Sequence, residues 1–190
     1  LNSDIEVTPQ WIEPVIEFMD KHADVAACQP KILAYHQKEF FEHAGACGGY
    51  IDYLGYPFCR GRIFNSLEKY ENQYSDNKEI FWATGAAMFI RGHVFKSTGG
   101  FDTDFFAHME EIDLCWRMKH SGHKLYCIPA SKVYHVGGGT LHKSNPKKTY
   151  LNFRNNLMML LKNLPEGNRF SVFTKRLYLD KLAFIKFLIS

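Results

Sequence analysis

The most informative stretch of this 190-residue sequence reads His108-Met109-Glu110-Glu111-Ile112-Asp113-Leu114-Cys115-Trp116-Arg117. Its three carboxylates fall in the first turn of a helix predicted over residues 109–121, where the positive end of the helix dipole favours anions. At 100° per residue, Glu110, Asp113 and Arg117 share one face, whereas Glu111 lies among apolar neighbours. Partial desolvation is expected to raise the pKa of Glu111 and make it a better proton acceptor near neutral pH. The alternative is that these acidic residues only cap the helix and carry surface charge.

The segments around this helix alternate between strands and helices. Residues 80–90 read as a strand, a break at Thr84-Gly85 and a second strand, and a short helix over 92–98 ends at Gly99-Gly100. Short strands are predicted over 124–128 and 132–135. This alternation indicates a layered α/β fold. The chain has no Gly-rich phosphate loop, and the residues before its tail are too few for a complete doubly wound nucleotide domain.

A second acidic motif, Asn2-Ser3-Asp4, stands where a strand is predicted to run into a loop. In an extended segment, side chains two residues apart point the same way, so Asn2 and Asp4 can face one cation. Mg²⁺ or Mn²⁺ held by one or two such oxygen ligands and by substrate phosphates is a common arrangement. An ordinary polar turn is the alternative. After this motif, Thr8-Pro9 predicts the start of a helix that runs to about His22, and residues 25–29 predict a short buried strand.

Two further places are candidates for contact with a ligand. Trp82 precedes the small residues Thr84 and Gly85, where a ligand or another backbone can approach closely. Trp82 then either stacks on a sugar or fills the core. His135 ends a predicted strand before Gly137-Gly138-Gly139, a sequence that suits a mobile loop, although a lone histidine is more often a hydrogen-bonded structural residue.

Composition excludes several classes of protein. With 46% hydrophobic and 23% charged residues the chain is neither disordered nor fibrous, and no stretch reaches the ~18 unbroken apolar residues of a membrane span. Five scattered cysteines without a C-x-x-C pair argue against a disulfide framework and a structural zinc site, and favour buried thiols in the cytoplasm. The chain has no basic n-region and begins as if it were cut from a longer protein.

Taken together and in this order, the motifs resemble family 2 glycosyltransferases with the A-type nucleotide-sugar fold, and they match the C-terminal half of that fold. The resemblance rests on Asn2-Ser3-Asp4, on Thr84-Gly85-Ala86-Ala87, on Gly99-Gly100-Phe101-Asp102, on the acidic helix and on Val133-Tyr134-His135-Val136-Gly137-Gly138. Within the family, Gly55-Tyr56-Pro57-Phe58 and the helix over 150–164 are most similar to bacterial rhamnosyltransferase-type enzymes of cell-surface polysaccharide synthesis.

The resemblance implies an α/β chain that is an incomplete three-layer A-type glycosyltransferase fold, with a mixed sheet and C-terminal amphipathic helices. Its function would be inverting, metal-dependent transfer of a sugar, rhamnose for example, from a nucleoside-diphospho-sugar to a glycan or lipid-linked acceptor. Asn2, Ser3 and Asp4 would bind the donor, and Asp4, Asn2 and His135 the metal ion (Mg²⁺ or Mn²⁺).

The resemblance assigns the catalytic base to Glu111, within an acidic group that includes Glu110 and Asp113. Trp82, Thr84 and Gly85 are the expected acceptor contacts. Because Asn2 stands where the family often has Asp, the metal site is expected to be weaker. Because the strands that hold the nucleotide are missing, this 190-residue chain is expected to be inactive alone.

The tail differs in charge from the rest of the chain. Residues 1–142, the predicted half of a catalytic domain, carry a net charge of −5, and residues 143–190 carry +8. Two amphipathic helices are predicted in this tail, over 147–164 and 171–189. They are expected to lie on an anionic membrane at the inner face of the plasma membrane, or to pack on the missing half. Nucleic acid is not expected, because the basic residues alternate with aliphatic rather than stacking aromatic ones.

Two other functions compete with sugar transfer. The first is a non-catalytic membrane-surface or scaffold module in which the acidic residues are caps. The second is a glycoside hydrolase, which needs two carboxyls ~5 to 9.5 Å apart across the scissile bond. Adjacent Glu110 and Glu111 diverge by about 100° around a helix, which counts against that pair.

Overall fold

A mixed sheet of five strands forms the centre of the molecule. The computed structural model describes residues 1–64, 66–137 and 145–189, with the side chains of 187–189 left out. The strands are β1 Ile5–Val7, β2 Val25–Ala34, β3 Gly49–Ile51, β4 Pro57–Cys59, β5 Arg62–Ile63, β6 Ser66–Leu67, β7 Lys78–Ile80, β8 Phe89–Ile90 and β9 Lys124–His135. The sheet order is β1-β9-β2-β8, and β7 also pairs with β9. β2 and β9 run parallel and pair along nearly their full lengths, whereas the other described pairs of this sheet are antiparallel.

Helices cover both faces of this sheet. They are α1 Glu13–Lys21, α2 Gly92–Ser97, α3 Glu110–His120, α4 Pro146–Asn163 and α5 Glu166–Ile189, with a 3-10 turn at Thr103–Phe105. Because side chains alternate along a strand, Leu125 and Cys127 of β9 join the core that contains α3. Tyr126 and Ile128 pack instead with α1. The three layers and the mixed sheet agree with the predicted α/β architecture.

The N-terminal segment differs from its prediction in two ways. Residues 3 and 4 form a turn before β1, so the extended geometry assumed for Asn2 and Asp4 is wrong. Thr8 does not cap a helix, because its hydroxyl donates to the Lys132 carbonyl (2.7 Å) of β9. The helix begins instead at Glu13, with Pro14 in its first turn, where a missing N–H costs nothing.

Two strands are longer than predicted. β2 continues through Pro30, and β9 spans residues 124–135 without interruption. The register between them shifts after Pro30, which pairs with Ile128, whereas Lys31 pairs with Lys132. A bulge at this point lets both strands continue where the sequence indicates breaks.

Helix α4 packs on the body through a face that combines apolar and amide side chains. Leu151 and Met159 of α4 are buried, and Met159 belongs to the core that contains α3. Leu160 of this helix is also buried, whereas Tyr150 and Leu161 are exposed. Three asparagines that the prediction ignored, Asn155, Asn156 and Asn163, are buried instead. The division of the chain at residue 142 stays a prediction, because that boundary, Lys143 and two of the loop glycines (Gly138 and Gly139) lie outside the described residues.

Candidate active site

The acidic helix begins directly after a backbone segment of unusual conformation. Phe106, His108 and Met109 have φ values of 63°, 71° and 72°, in the left-handed region that side chains other than glycine seldom adopt. Such strain persists only where the surroundings hold it in place. It swings the chain so that His108, Glu110 and Glu111 all line one cleft.

Asn155 of α4 holds this strained segment in place. The two hydrogens of its buried Nδ2 are shared among the carbonyl oxygens of Phe105 (2.9 Å), Ala107 (2.8 Å) and His108 (2.8 Å). These carbonyls have no regular ladder to join, and an unpaired buried carbonyl is costly. The sequence offered one weak signal for this contact, an asparagine inside an otherwise apolar helical repeat.

The cleft has a volume of about 720 Å³ and is open to solvent on one side. Three parts of the chain form its walls: the N-terminal end with His135, the segment around Thr84 and Gly85, and the loop leading into α3. Its lining residues are Asn2, Ala44, Thr84, Gly85, Ala86, Phe101, Asp102, Thr103, Phe106, Ala107, His108, Glu110, Glu111 and His135. Residues more than a hundred positions apart therefore meet at one opening.

Glu111 has the properties of a proton acceptor at neutral pH. Burial, reinforced by the nearby charge of Glu110, raises its pKa from 4.5 to about 7. One of its carboxyl oxygens, Oε2, is buried and has no hydrogen-bond partner among the described residues. Burial also raises the pKa of Glu110. The predicted rise in the pKa of Glu111 agrees with the structure, and both glutamates line the cleft.

His135 lies between two carboxylates, Asp4 and Glu42, at another part of the site. His135 Nε2 lies 3.3 Å from Asp4 Oδ2, and His135 Nδ1 lies 3.6 Å from Glu42 Oε1. Burial alone would lower the pKa of His135, but the carboxylates of Glu42 and Asp4 outweigh it and raise this pKa. Asp4 does not itself line the cleft, and it reaches the cleft through its contact with His135.

The Asp4–His135 pair suits a divalent cation with few protein ligands. Mg²⁺ takes ligands at about 2.1 Å in octahedral geometry, which places adjacent ligands about 3 Å apart, and 3.3 Å is close to that separation. Glu42 faces the second imidazole nitrogen, as carboxylates do beside metal-bound histidines. Within the described ranges, no group of three or more His, Cys, Asp or Glu side chains is arranged to hold a metal.

Three residues expected at the site lie elsewhere. Asp113 is buried away from the cleft, where it accepts hydrogen bonds from Arg117 Nε (2.8 Å) and Asn163 Nδ2 (2.7 Å). These two hydrogen bonds join α3 to α4 and occupy both carboxylate oxygens of Asp113. Asp113 is therefore a structural residue rather than a catalytic one. Trp82 is only 5% exposed, and its Nε1 donates to the Tyr50 carbonyl (2.8 Å), so it is a core residue rather than an acceptor contact. Ser3 is exposed and does not line the cleft.

Thr84 and Gly85 do reach the cleft, and a buried glutamine positions them. Gln29 Oε1 accepts a hydrogen bond from the Thr84 backbone N–H (3.0 Å), and Gln29 Nε2 donates to the Gly45 carbonyl (3.1 Å). Gly85 lies beside Glu111, because a Cβ atom at Gly85 would meet Glu111 Cβ at 3.7 Å. No sequence pattern points to Gln29, a buried polar residue in a largely buried strand.

The chain is similar in sequence to bacterial rhamnosyltransferases and to an O-antigen biosynthesis protein. No protein-family model matches the chain. It is 29% identical over 142 residues to the O-antigen biosynthesis protein RfbC of Myxococcus xanthus, covering 71% of this chain and 10% of that protein. It is 37% identical over 65 residues to the rhamnosyltransferase WbbL of Escherichia coli, covering 34% of this chain and 24% of that protein.

A third relative is the N-acetylglucosaminyl-diphospho-decaprenol L-rhamnosyltransferase of Mycobacterium tuberculosis, at 28% identity over 88 residues, 46% of this chain and 28% of that protein. The chain thus spans between a tenth and little more than a quarter of these relatives. The resemblance to rhamnosyltransferase-type enzymes is confirmed by these similarities.

A solved structure supports the fold. The crystal structure of GalNAc-T7 with UDP, GalNAc and Mn²⁺ superimposes with a TM-score of 0.54 at 14% identity, over 82% of this chain and 29% of that chain. At this identity the similarity concerns the fold alone. The fold is therefore that of part of an A-type glycosyltransferase, as the sequence motifs imply.

Proposed function

We propose that this chain provides the acceptor side and the catalytic base of a glycosyltransferase that uses a nucleoside-diphospho-sugar donor. The observation that carries the proposal is Glu111, a carboxyl with a pKa raised to about 7 that faces an open cleft shared with His135. A base with a pKa near the working pH is the most effective proton acceptor. The names of the relatives support rhamnose as the sugar and cell-surface polysaccharide as the product.

In the proposed reaction, Glu111 accepts the proton of an acceptor hydroxyl. The hydroxyl oxygen attacks the anomeric carbon of the donor on the face opposite the diphosphate, so the configuration inverts. The C–O bond to the diphosphate breaks, and the diphosphate leaves with the bonding electron pair. Glu110 keeps the pKa of Glu111 high through its neighbouring charge, and Gly85 leaves room for substrate beside Glu111.

Asp4 and His135, with Asn2 beside them, are the proposed residues for a divalent cation. Asp4 and His135 face each other at 3.3 Å, and Asn2 lines the cleft next to them. A bound Mg²⁺ or Mn²⁺ supplies positive charge that stabilises the leaving diphosphate. An imidazole must lose its proton before it can bind a metal. Because Glu42 and Asp4 raise the pKa of His135, we expect the affinity for the metal to fall as the pH is lowered.

Contact with a membrane is a further part of the proposal, and α5 supports it. Phe170, Leu177, Tyr178 and Phe184 of this helix are exposed, and the neighbouring lysines include Lys175. Exposed apolar side chains between basic ones suit the interface of an anionic bilayer. Among the described residues, no helix is long and apolar enough to pass through a bilayer. A lipid-linked acceptor at the cytoplasmic face of the plasma membrane would bring substrate and enzyme together.

The test is a screen of nucleoside-diphospho-sugars with the full-length protein and membrane extracts containing lipid-linked acceptors. We expect transfer of one sugar, lost by at least a hundredfold in Glu111→Gln. Glu13→Gln is the matched control, because it makes the same change at an exposed position in the first turn of α1. Liposome binding without transfer would favour the scaffold function, and release of sugar from simple glycosides without a nucleotide would favour the hydrolase.

A further inference from the structure

Polar atoms without partners are concentrated at the cleft. Within the described part of the chain, six buried side-chain nitrogen or oxygen atoms have no hydrogen-bond partner. Three of them belong to residues that line the cleft: His108 Nε2, Glu110 Oε2 and Glu111 Oε2. A fourth, His135 Nδ1, also belongs to a cleft residue, but it faces Glu42 Oε1 at 3.6 Å. A buried polar atom without a partner destabilises the protein. Their gathering at one opening indicates that a ligand satisfies them.

Three of these atoms lie on one wall of the cleft, next to exposed aromatic rings. His108, Glu110 and Glu111 lie within four consecutive residues, and Phe101 and Phe106, which also line the cleft, precede them in the chain. Phe106 is 72% exposed although it lines a cleft. Lys147 Nζ lies 4.7 Å from the centre of its ring, yet most of the ring remains open. An exposed phenyl ring beside hydrogen-bonding groups suits a molecule with one apolar face and a polar edge.

The charges on this wall select against a phosphate. Two glutamates stand at its base, and like charges in a partly buried site repel strongly. Burial, with Lys148 nearby, lowers the pKa of His108, so its imidazole is neutral at pH 7 and able to donate to or accept from a hydroxyl. A carboxylate and a neutral imidazole are partners for uncharged hydroxyl groups.

We propose that Phe106, His108 and Glu110 form a subsite for one pyranose ring, in which the ring's C–H face packs on Phe106 and its hydroxyls bond to His108 Nε2 and Glu110 Oε2. This inference rests on the proposed function and names a substrate contact for it. The ring belongs either to the acceptor or to the donor, and both offer the same chemistry. Asn155 serves the subsite indirectly, because it fixes the backbone of the loop that carries these side chains.

The test measures binding separately from transfer. Methyl α-L-rhamnopyranoside and methyl N-acetyl-β-D-glucosaminide are titrated into the full-length protein, with binding followed by ligand-detected NMR. We expect Phe106→Ala and His108→Phe each to weaken binding of one glycoside at least fivefold, and His108→Gln to restore part of it. Phe170→Ala is the matched control, since Phe170 is 86% exposed on α5 and away from the cleft. Melting curves confirm that each variant is folded, and Phe106→Leu replaces Phe106→Ala if the latter is not.

Three outcomes decide the matter. Weaker glycoside binding with unchanged affinity for UDP and dTDP supports the subsite, and the substrate whose KM rises identifies the ring as acceptor or donor. Unchanged glycoside binding in Phe106→Ala and His108→Phe overturns it, as does a loss that falls on the nucleoside diphosphates alone. Glycoside binding by the wild type that depends on Phe106 and His108, without any transfer in the donor screen, would keep the subsite and refute the proposed function.

Discussion

Glu111→Gln is expected to stabilise the protein while it abolishes transfer. The native state holds the proton of Glu111 more tightly than the unfolded chain, because its pKa is about 7 rather than 4.5. The contribution of this group to stability is therefore fully present below pH 4.5 and is lost as the pH rises through 7. Each pKa unit corresponds to about 1.4 kcal/mol, so ionised Glu111 lowers the free energy of unfolding by about 3 kcal/mol at pH 8. Glutamine is neutral at every pH and escapes this loss.

The assay is urea and thermal unfolding of wild type and variant at pH 5 and pH 8, without metal or nucleotide. We expect the variant to exceed the wild type by about 3 kcal/mol at pH 8, or by about 6–12 °C in melting temperature, and by much less at pH 5. Glu110→Gln should give a smaller gain, since it removes only the second cause of the raised pKa. The exposed Glu13→Gln should give none. Parallel curves for wild type and Glu111→Gln across this pH range would refute the reasoning.

The other expectations concern neighbours of Glu111. Asn155→Ala should lose about 2 kcal/mol of stability, because two N–H donors to the loop carbonyls are removed. It should also lower kcat more than tenfold. Its matched control is Asn156→Ala, because the adjacent buried Asn156 donates to the Gly55 carbonyl instead. We expect this variant to lose stability but to keep its kcat. Equal effects of both variants on kcat would mean that Asn155 has only a structural role. Asp4→Asn should weaken Mn²⁺ binding at least tenfold by calorimetry, and unchanged affinity would remove Asp4 from the proposed metal site. Asp113→Asn should lower the melting temperature, because it weakens the bond to Arg117, and should leave the pH dependence of transfer unchanged; a shifted pH profile would return Asp113 to the catalytic group.

Local patterns predicted the elements whose ends are fixed by local chemistry. The acidic start of α3 and the glycine after it bound that helix within one residue of the prediction. The glycines at 99 and 100 likewise end α2 as expected. Thr8-Pro9 failed as a helix start because the Thr8 hydroxyl is used by the neighbouring strand β9. This hydrogen bond exists because β1 pairs with β9 in the folded chain. The residues near Thr8 in the sequence do not show that pairing.

The site was predictable in its residue types but not in its arrangement. Glu110 and Glu111 are adjacent at the start of α3, and only the folded chain shows that both of them line the same cleft. Asp113 belongs to the same acidic pattern, but its carboxylate accepts a hydrogen bond from Asn163, fifty residues away in the chain. His108 and Asn155 were missed because their importance comes from buried, unpaired or multiply bonded atoms, which only the folded chain shows.

The pH dependence of kcat/KM tests most directly whether Glu111 takes the proton in sugar transfer. The full-length protein is assayed from pH 5.5 to 8.5 with saturating Mn²⁺ and the donor identified in the screen. The wild type should gain activity with an apparent pKa of about 7, the value of Glu111 in the cleft, and Glu111→Gln should be inactive throughout. A flat profile for the wild type, or a Glu111→Gln variant that keeps its activity, would contradict the assignment.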